Sequence, residues 1–360
     1  MSYVRHFVTA KTSPLGYAKV VNGAMYIRPN QRGPRVSHVR VAFGTGVVLG
    51  MWKGRLAAAP TTAHFLTYHD GRCRANCRFC PQARESSADS GMLSRVLWPK
   101  CELEKVLVAL KEHHSEFKRI CVQAVNYPGV VYDLCEFMEK IKGVCDLPIS
   151  VSCQPLTASD VERLATAGAE RVSIALDAAT PKIFDRIKGN GAGGPYTWQG
   201  HIQALGDARA TLSNRVSTHL IVGLGESEQE MVQTIQFLHD RGITVGLFAF
   251  TPIAGTPLAD RPQPDLASYR RIQLARHLIV NGVSRVERIR FNGGRIADFG
   301  VIGDVLCKTI DSGEPFRTSG CPGCNRPFYN ESPRGPIYNY PWEPTPEEII
   351  TIRGQLHLNL

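Results

Sequence analysis

The 360-residue sequence predicts an α/β fold: a partial (β/α)6 barrel, preceded by a β-rich extension and followed by an irregular C-terminal segment. Two observations predict it. From His64 onward, short β-branched runs alternate with helical stretches six times, at a repeat of roughly 25 to 45 residues. Such a repeat builds a parallel sheet with right-handed crossovers, and its closed or partly closed form is a barrel with ligands at the C-terminal strand ends. The composition agrees, because 43% hydrophobic and 21% charged residues suit a chain with a full core.

The elements follow in order. Residues 1–60 carry short β-like runs such as VSHVRVAFGTGVVLGMW, broken by Pro and Gly, and are read as an N-terminal extension. Residues 61–295 hold the barrel. HFLTY is its first strand, followed by a cysteine loop and the helix ELEKVLVALKEHH. The pairs RICVQAV and YDLCEFMEKIKG, ISVSC and ASDVERLATAG, and RVSIALDA and PKIFDRIKG come next. STHLIVGLG with SEQEMVQTIQFLHDRG, and TVGLFAFTPI with LASYRRIQLARHLIVNG, complete the series, and RIRFNGGR is a candidate seventh strand. Residues 296–360 form the third division. Its stretch from 307 to 343 lacks periodicity and calls for a staple, and EPTPEEIITIRGQLHL reads as a closing helix with Pro344 or Pro346 near its start.

No secretory-type apolar region opens the chain and no uncharged apolar run reaches about 18 residues, so a cytoplasmic, non-membrane protein is expected. The formal charge of +10 favours acidic partners, but no Lys/Arg run of about five or more points to nucleic acid. Eleven cysteines, an odd number, fit metal or redox chemistry better than a disulfide framework.

Six of those cysteines fall in two groups. Cys73, Cys77 and Cys80 stand in GRCRANCRFCPQA, directly after the first barrel strand. Three thiolates at x3 and x2 spacing reach three corners of a four-iron cube and leave its fourth iron without a protein ligand. Zinc is the alternative, but it favours four closed ligands and paired C-x2-C units. Cys307, Cys321 and Cys324 form the second group, at x13 and x2 spacing in the irregular segment. They are read as ligands of an auxiliary cluster, with a zinc staple as the plainer alternative. Cys121 and Cys153 read as small apolar core residues, and His64 and His69 as hydrogen-bonded structural side chains. The arginines of the cysteine loop suit either phosphate binding or a solvated basic rim.

The C-x3-C-x2-C triplet, with Phe79 just before its last cysteine, resembles the radical S-adenosylmethionine (radical SAM) superfamily. The segments SCQPLTASDVERLATAGAERV, HLIVGLGESEQE, AGTPLAD and RIRFNGGR are similar to biotin synthase in particular. The resemblance implies a radical SAM-type partial TIM-like barrel. Cys73, Cys77 and Cys80 would hold a [4Fe-4S] cluster that chelates S-adenosylmethionine and cleaves it to a hydrogen-abstracting 5'-deoxyadenosyl radical. Asp177 would bind the cofactor ribose, Val222, Gly223 and Gly225 would lie by the adenine, and Arg186 would meet the carboxylate. Gly223 and Gly225 read equally as a tight strand-to-helix turn, with Glu226 near a helix N-terminus. Gln123 and Asn126 stand where relatives place a polar motif for the methionine amino group.

Biotin synthase itself fits less well, since Cys121, Cys153 and Arg290 match its sulfur-donor ligands but Ser217 takes the place of a cysteine. TSGCPGCNRPFYNESPRGPIYNYP instead resembles the C-terminal region of the archaeal two-protein lipoyl synthases. That resemblance implies sulfur insertion, from a second [4Fe-4S] cluster, into an octanoyl chain on an acidic carrier protein. A paralogous radical SAM subunit and an electron donor such as ferredoxin would be further partners. The abstraction needs no conventional catalytic side chain. Two other readings stand beside it: a radical SAM enzyme whose auxiliary cluster serves only electron transfer or substrate anchoring, and a zinc-stapled α/β binding protein.

Overall fold

The computed structural model describes residues 18–21, 24–27 and 36–358. Contacts divide the chain into Met1–Arg35 and Val36–Leu360, whereas the sequence suggested divisions at 60 and 295. In the first unit, β1 (Ala18–Val21) and β2 (Ala24–Ile27) pair antiparallel; the rest of the expected extension before Val36 lies outside the described residues.

The second unit is built on one eight-stranded sheet. Its strands in chain order are β3 (His38–Val41), β4 (Thr62–Thr67), β7 (Lys100–Glu102), β8 (Arg119–Gln123), β9 (Ile149–Cys153), β10 (Ala169–Ile174), β11 (Val216–Val222) and β12 (Thr244–Ala249). Between β4 and β7 lies a small hairpin of β5 (Met92–Leu93) and β6 (Val96–Leu97). Spatially the order is β12-β11-β10-β9-β8-β4-β3-β7. Six consecutive neighbours, β4 and β8 to β12, are parallel, as the strand–helix repeat requires. The antiparallel β3 and β7 extend the sheet beyond β4, so part of the expected N-terminal extension belongs to the barrel sheet. Since β7 and β12 are both edges, the barrel is open.

Helices cover the outside of this sheet. The short α1 (Phe43–Val48) follows β3, and α2 (Leu103–His113), α3 (Val130–Lys142), α4 (Ala158–Thr166) and α5 (Pro181–Ile187) occupy the first crossovers. α6 (Trp198–Leu212), which the sequence reading did not single out, shares the fourth crossover with α5; α7 (Glu228–His239) and α8 (Leu266–Val280) follow. Side chains start several of them: Thr157 and Ser227 form capping boxes with Asp160 and Glu230. The apolar core runs between helices and sheet, with Phe65, Ile120, Val151, Val172 and Leu220 essentially inaccessible.

RIRFNGGR is not a seventh barrel strand. β13 (Arg290–Asn292) and β14 (Arg295–Asp298) make a separate antiparallel hairpin. Gly293 and Gly294 at its tip both have positive φ, 57° and 82°, which a two-residue turn of right-handed strands demands. Beyond it come α9 (Gly303–Asp311), α10 (Arg326–Asn330) and the closing α11 (Pro346–Leu356), with Pro346 in its first turn and a Thr345–Glu348 capping box.

The aperiodic C-terminal stretch is ordered by buried polar bonds. Glu331 accepts from the backbone N–H of Tyr338 and Asn339, both at 2.8 Å, and from Asn339 Nδ2 at 2.7 Å. Arg270 and Gln273 of α8 donate to the Tyr338 carbonyl at 2.6 and 2.9 Å. Asn325 accepts from the Thr61 amide at 3.1 Å and donates to the Ala59 carbonyl at 2.9 Å, tying residues 321–325 to the entry of β4.

Candidate functional site

The interior of the barrel is a cavity of about 250 Å³. A closed α/β barrel fills this space with bulky branched side chains. Here the inward positions are small or polar instead: Ser150 and Ser152 on β9, Ser173 on β10, Ser217 on β11 and Gly246 on β12. Cys73, Cys77 and Cys80 line the end at the C-terminal tips of the strands, and Cys321 and Cys324 line the end at their N-terminal tips.

The loop after β4 positions the first triplet through its own backbone. Cys73 N–H donates to the Gln82 carbonyl at 3.0 Å, Cys80 N–H to Cys77 at 3.0 Å, and Asn126 N–H to Cys73 Sγ at 3.3 Å. Gln82 donates to the Ser90 and Met92 carbonyls, both at 2.6 Å, which closes the loop. Three of its arginines are structural: Arg72 donates to Pro81 and Ala88 carbonyls, Arg78 to Gly191 and Arg84 to Gly193. Burial pushes the Cys77 thiol well up and the Cys80 thiol to about 12, and a bound metal would displace their protons.

The second group is not the one the sequence suggested. Cys307 lies on α9, bordering an outer groove with Arg295 and His357 and neighbouring Arg353. Leu306 and Ile310 of that helix face the core, and the turns after it carry the chain round to the barrel mouth without Cys307. Cys121 on β8 takes its place. In the sheet, Cys121 is flanked by His64 on β4 and Ser150 on β9. Cys324 Sγ lies 3.9 Å from His64 Nε2, while Cys321 Sγ lies 4.0 Å from Ser150 Oγ and 3.8 Å from Ser217 Oγ.

Electrostatics link this group. Burial raises the Cys121 thiol well above its ordinary value, with Cys321 and Cys324 adding to the rise and Arg326 and Arg119 opposing it. Burial likewise raises Cys324, and it lowers Arg326 to about 10 against the pull of Cys324 and Cys121. His64, 3% exposed, is pushed down to about 3 by burial and by Arg326, so its ring is neutral. The C-terminal loop reaches this depth because β12 has a glycine there: a Cβ on Gly246 would stand 3.2 Å from the Ser319 carbonyl oxygen. Ser319 Oγ then accepts the Leu247 amide at 2.9 Å.

Of the residues the resemblance assigns to S-adenosylmethionine, Gln123 and Asp177 line the cavity, as does Phe79, whose sequence position suits either a cofactor contact or a core aromatic. Asp177 has a positive φ of 67°, is ion-paired to Lys188 Nζ at 2.6 Å and lies 2.8 Å from His219 Nε2. Burial alone would raise its pKa, but those two neighbours hold it well below the carboxylate range. Val222, Gly223 and Gly225 form the turn from β11 to α7 and do not border the cavity. Gly223 N–H donates to Glu226 at 2.6 Å, and Arg186 donates to the Leu224 carbonyl at 2.9 Å beside it. Three residues the sequence reading did not single out also face the cavity: His219, Ser150 and Gln154, whose buried Oε1 has no partner among the described residues. Their signal was the run of small and polar residues at alternate positions of strands that are otherwise branched.

Both thiol groups fit iron–sulfur clusters by donor chemistry. Each offers three cysteines at one end of a shared cavity, and all eleven cysteines are free. Among the described residues, no three His, Cys, Asp or Glu side chains converge as ligands of a single metal ion, and this holds for both groups. No helix among the described residues is long and apolar enough to cross a membrane.

Comparison with known proteins finds the following similarities. The model of the radical SAM superfamily matches residues 67–238. The biotin synthase of Synechococcus sp. (strain JA-3-3Ab) is 26% identical over 266 residues, 70% of this chain and 80% of that one. That of Synechococcus elongatus is 27% identical over 280 residues, 74% and 82% of the two chains. Among solved structures, the FeFe-hydrogenase maturase HydG from Carboxydothermus hydrogenoformans is 17% identical at a TM-score of 0.47. That match covers 59% of this chain and 50% of the maturase, so the chain spans about half its length. The matched segment, just under half of the chain, contains the cysteine triplet and β8 to β11 of the parallel sheet, and the chain is similar to the radical SAM superfamily and, distantly, to the biotin synthases.

Proposed function

We propose that this radical SAM enzyme is lipoyl synthase-like: it replaces C–H bonds of an octanoyl chain, carried on a lysine of an acidic carrier protein, with C–S bonds. What supports the reading is one observation. Two groups of three thiols, Cys73/Cys77/Cys80 and Cys121/Cys321/Cys324, border the same cavity from opposite mouths of the barrel. Hydrogen abstraction and sulfur donation would then meet in one enclosed space.

Held by Cys73, Cys77 and Cys80, a cluster with S-adenosylmethionine would supply hydrogen abstraction to 5'-deoxyadenosine and methionine for one electron from a donor such as ferredoxin, and a cluster held by Cys121, Cys321 and Cys324 would supply sulfide and accept the remaining electron for each C–S bond. The chain's own residues bind, orient and exclude water. Asn126 N–H steadies Cys73, while Lys188 and His219 fix the Asp177 carboxylate at the wall. Phe79, Leu93, Phe248 and Phe250 give the cavity an apolar side suited to an alkyl chain. Arg326 sets a buried positive charge against the anionic second site. The net charge of +10 suits an acidic carrier, and a paralogous radical SAM subunit is a further partner under this reading.

The test is anaerobic reconstitution followed by incubation with reductant, S-adenosylmethionine and an octanoyl-lysyl peptide. About eight irons per chain, with 5'-deoxyadenosine and a thiolated octanoyl product, is the expected result. Formation of 5'-deoxyadenosine with two clusters present and no C–S bond, with or without the paralogous subunit, would sink the sulfur-donor role. It would leave electron transfer or substrate anchoring for the second site.

A further inference from the structure

We propose that His64 is the fourth protein ligand of the auxiliary cluster, binding iron through Nε2. The inference rests on the reading that Cys121, Cys321 and Cys324 hold such a cluster. Three thiolates leave one iron of a cube open, and the groups facing the barrel mouth restrict what can fill it.

The hydrogen bonds of His64 settle which ring nitrogen is available. Its Nδ1 lies 2.7 Å from the carbonyl oxygen of Thr62. A carbonyl only accepts, so Nδ1 carries the proton and Nε2 presents a lone pair. Metal-bound histidines are held in this way, with the remote ring N–H fixed on a carbonyl or carboxylate. Nε2 points at the cysteine group, with Cys324 Sγ at 3.9 Å as its neighbour.

The ring is also held in place by its strand. The His64 amide donates to Thr45 Oγ1 at 2.9 Å, and its carbonyl accepts from Ala42 at 3.1 Å. His64 and Cys121 are register partners on adjacent parallel strands, so their inward side chains share one level of the barrel. The residue is 3% exposed, so the ring is largely shielded from bulk water.

The other donors at this mouth serve less well. Ser150 and Ser217 touch Cys321 through hydroxyls, which bind iron strongly only after losing a proton, and Ser150 already accepts from Arg119 Nε at 3.1 Å. Ser319 accepts the Leu247 amide. His219, the other histidine bordering the cavity, has its Nε2 on Asp177 at 2.8 Å. Arg326 lies over the Trp98 ring at 5.2 Å and supplies charge rather than a lone pair.

The experiment uses the full chain with Cys73, Cys77 and Cys80 replaced by Ala, reconstituted anaerobically with iron and sulfide, reduced, and read by pulsed electron paramagnetic resonance. About four irons per chain and a directly bound 14N coupling, converted to 15N when histidine is labelled, are expected. Adding His64→Ala should abolish the coupling. Adding His64→Cys should keep about four irons without it, because a fourth thiolate replaces the imidazole. Four irons with no nitrogen coupling, or a coupling unchanged in His64→Ala, would overturn the inference while leaving the auxiliary cluster in place. Zinc, or no metal, in the folded triple variant would overturn both. Should the triple variant fail to fold, the same labelling of the intact chain reads the coupling against a Cys121/Cys321/Cys324→Ala background that lacks the second site.

Discussion

Replacing Glu331 by Ala should release the C-terminal segment from the barrel and cost the second site its iron before the first. The carboxylate is 3% exposed and accepts three bonds, two from backbone amides and one from Asn339 Nδ2. Truncation strands three buried donors at about 1–3 kcal/mol each, so at least ~3 kcal/mol is expected. At about 2 cal/mol/K of unfolding entropy per residue, that lowers the melting temperature of a chain of this size by roughly 4 °C or more. Glu331→Gln keeps one oxygen, which serves the Asn339 amide and side chain, but sets an NH2 against the Tyr338 N–H; its cost should be intermediate. The carboxyl also titrates, since burial raises it from 4.5 to about 7 despite those donors. Between these values the folded state keeps a proton that the unfolded state has lost, so this group's contribution falls as pH rises through that window, by roughly 3 kcal/mol in all. The gap between wild type and Glu331→Gln should therefore narrow from pH 5 to pH 8. Melting curves at both pH values, with iron per chain for each protein, are the assay. An Ala variant as stable as wild type, or a gap that widens with pH, would refute the reasoning.

Other outcomes follow from the same geometry. Cys121→Ser should lower iron from about eight to about four per reconstituted chain, while Cys307→Ser should leave it at about eight; equal loss from both would return Cys307 to the site. Lys188→Met should cost about 3–5 kcal/mol in urea unfolding, because it leaves the Asp177 carboxylate buried beside His219 alone. The stability Asp177 supplies is present above its unfolded pKa of 3.8 and is lost as pH falls below it, so the variant should differ least from wild type in acid. Gly255→Ala should loosen the first cysteine loop, since φ there is 82° and the new Cβ would stand 2.6 Å from the Ala88 amide nitrogen. Loss of at least ~1 kcal/mol and faster proteolysis near Ser87 are expected, and an unchanged cleavage pattern would count against that contact.

The fold was legible wherever pattern and length agreed. All six parallel strands and five of the crossover helices follow from runs such as HLIV and from apolar residues at helical spacing. α6 was missed because Gly200 and Gly206 interrupt it and its buried residues include His201. β7 is only three residues long, too short for any period to show. At the site, the first triplet was readable because its ligands are close in sequence and one loop holds them. The second was misread for the same reason. Cys307 is near Cys321 in sequence, but α9 turns it outward, whereas Cys121 and His64 reach Cys321 and Cys324 through strand register and a distant loop. Pairing between remote segments leaves no periodic trace; it is decided by which side chains the closed sheet brings to one level.

The span of that second site also sets an order of events during folding. His64 and Cys324 are 260 residues apart, and the bonds that seat the loop, Thr61 to Asn325 and Thr61 to Gly323, close spans of 264 and 262. Contacts of such separation carry the largest loop-closure cost and form after the local strand–helix units have condensed. The first cysteine loop, by contrast, draws its contacts from Asn126 just after β8 and from Gly191, Gly193 and Gly255, all of which precede Cys321 in the chain. A chain emerging from its N-terminus therefore presents a finished upper thiol triplet while the lower one still lacks two of its three cysteines, so clusters delivered during synthesis would be taken up in sequence, the upper before the lower.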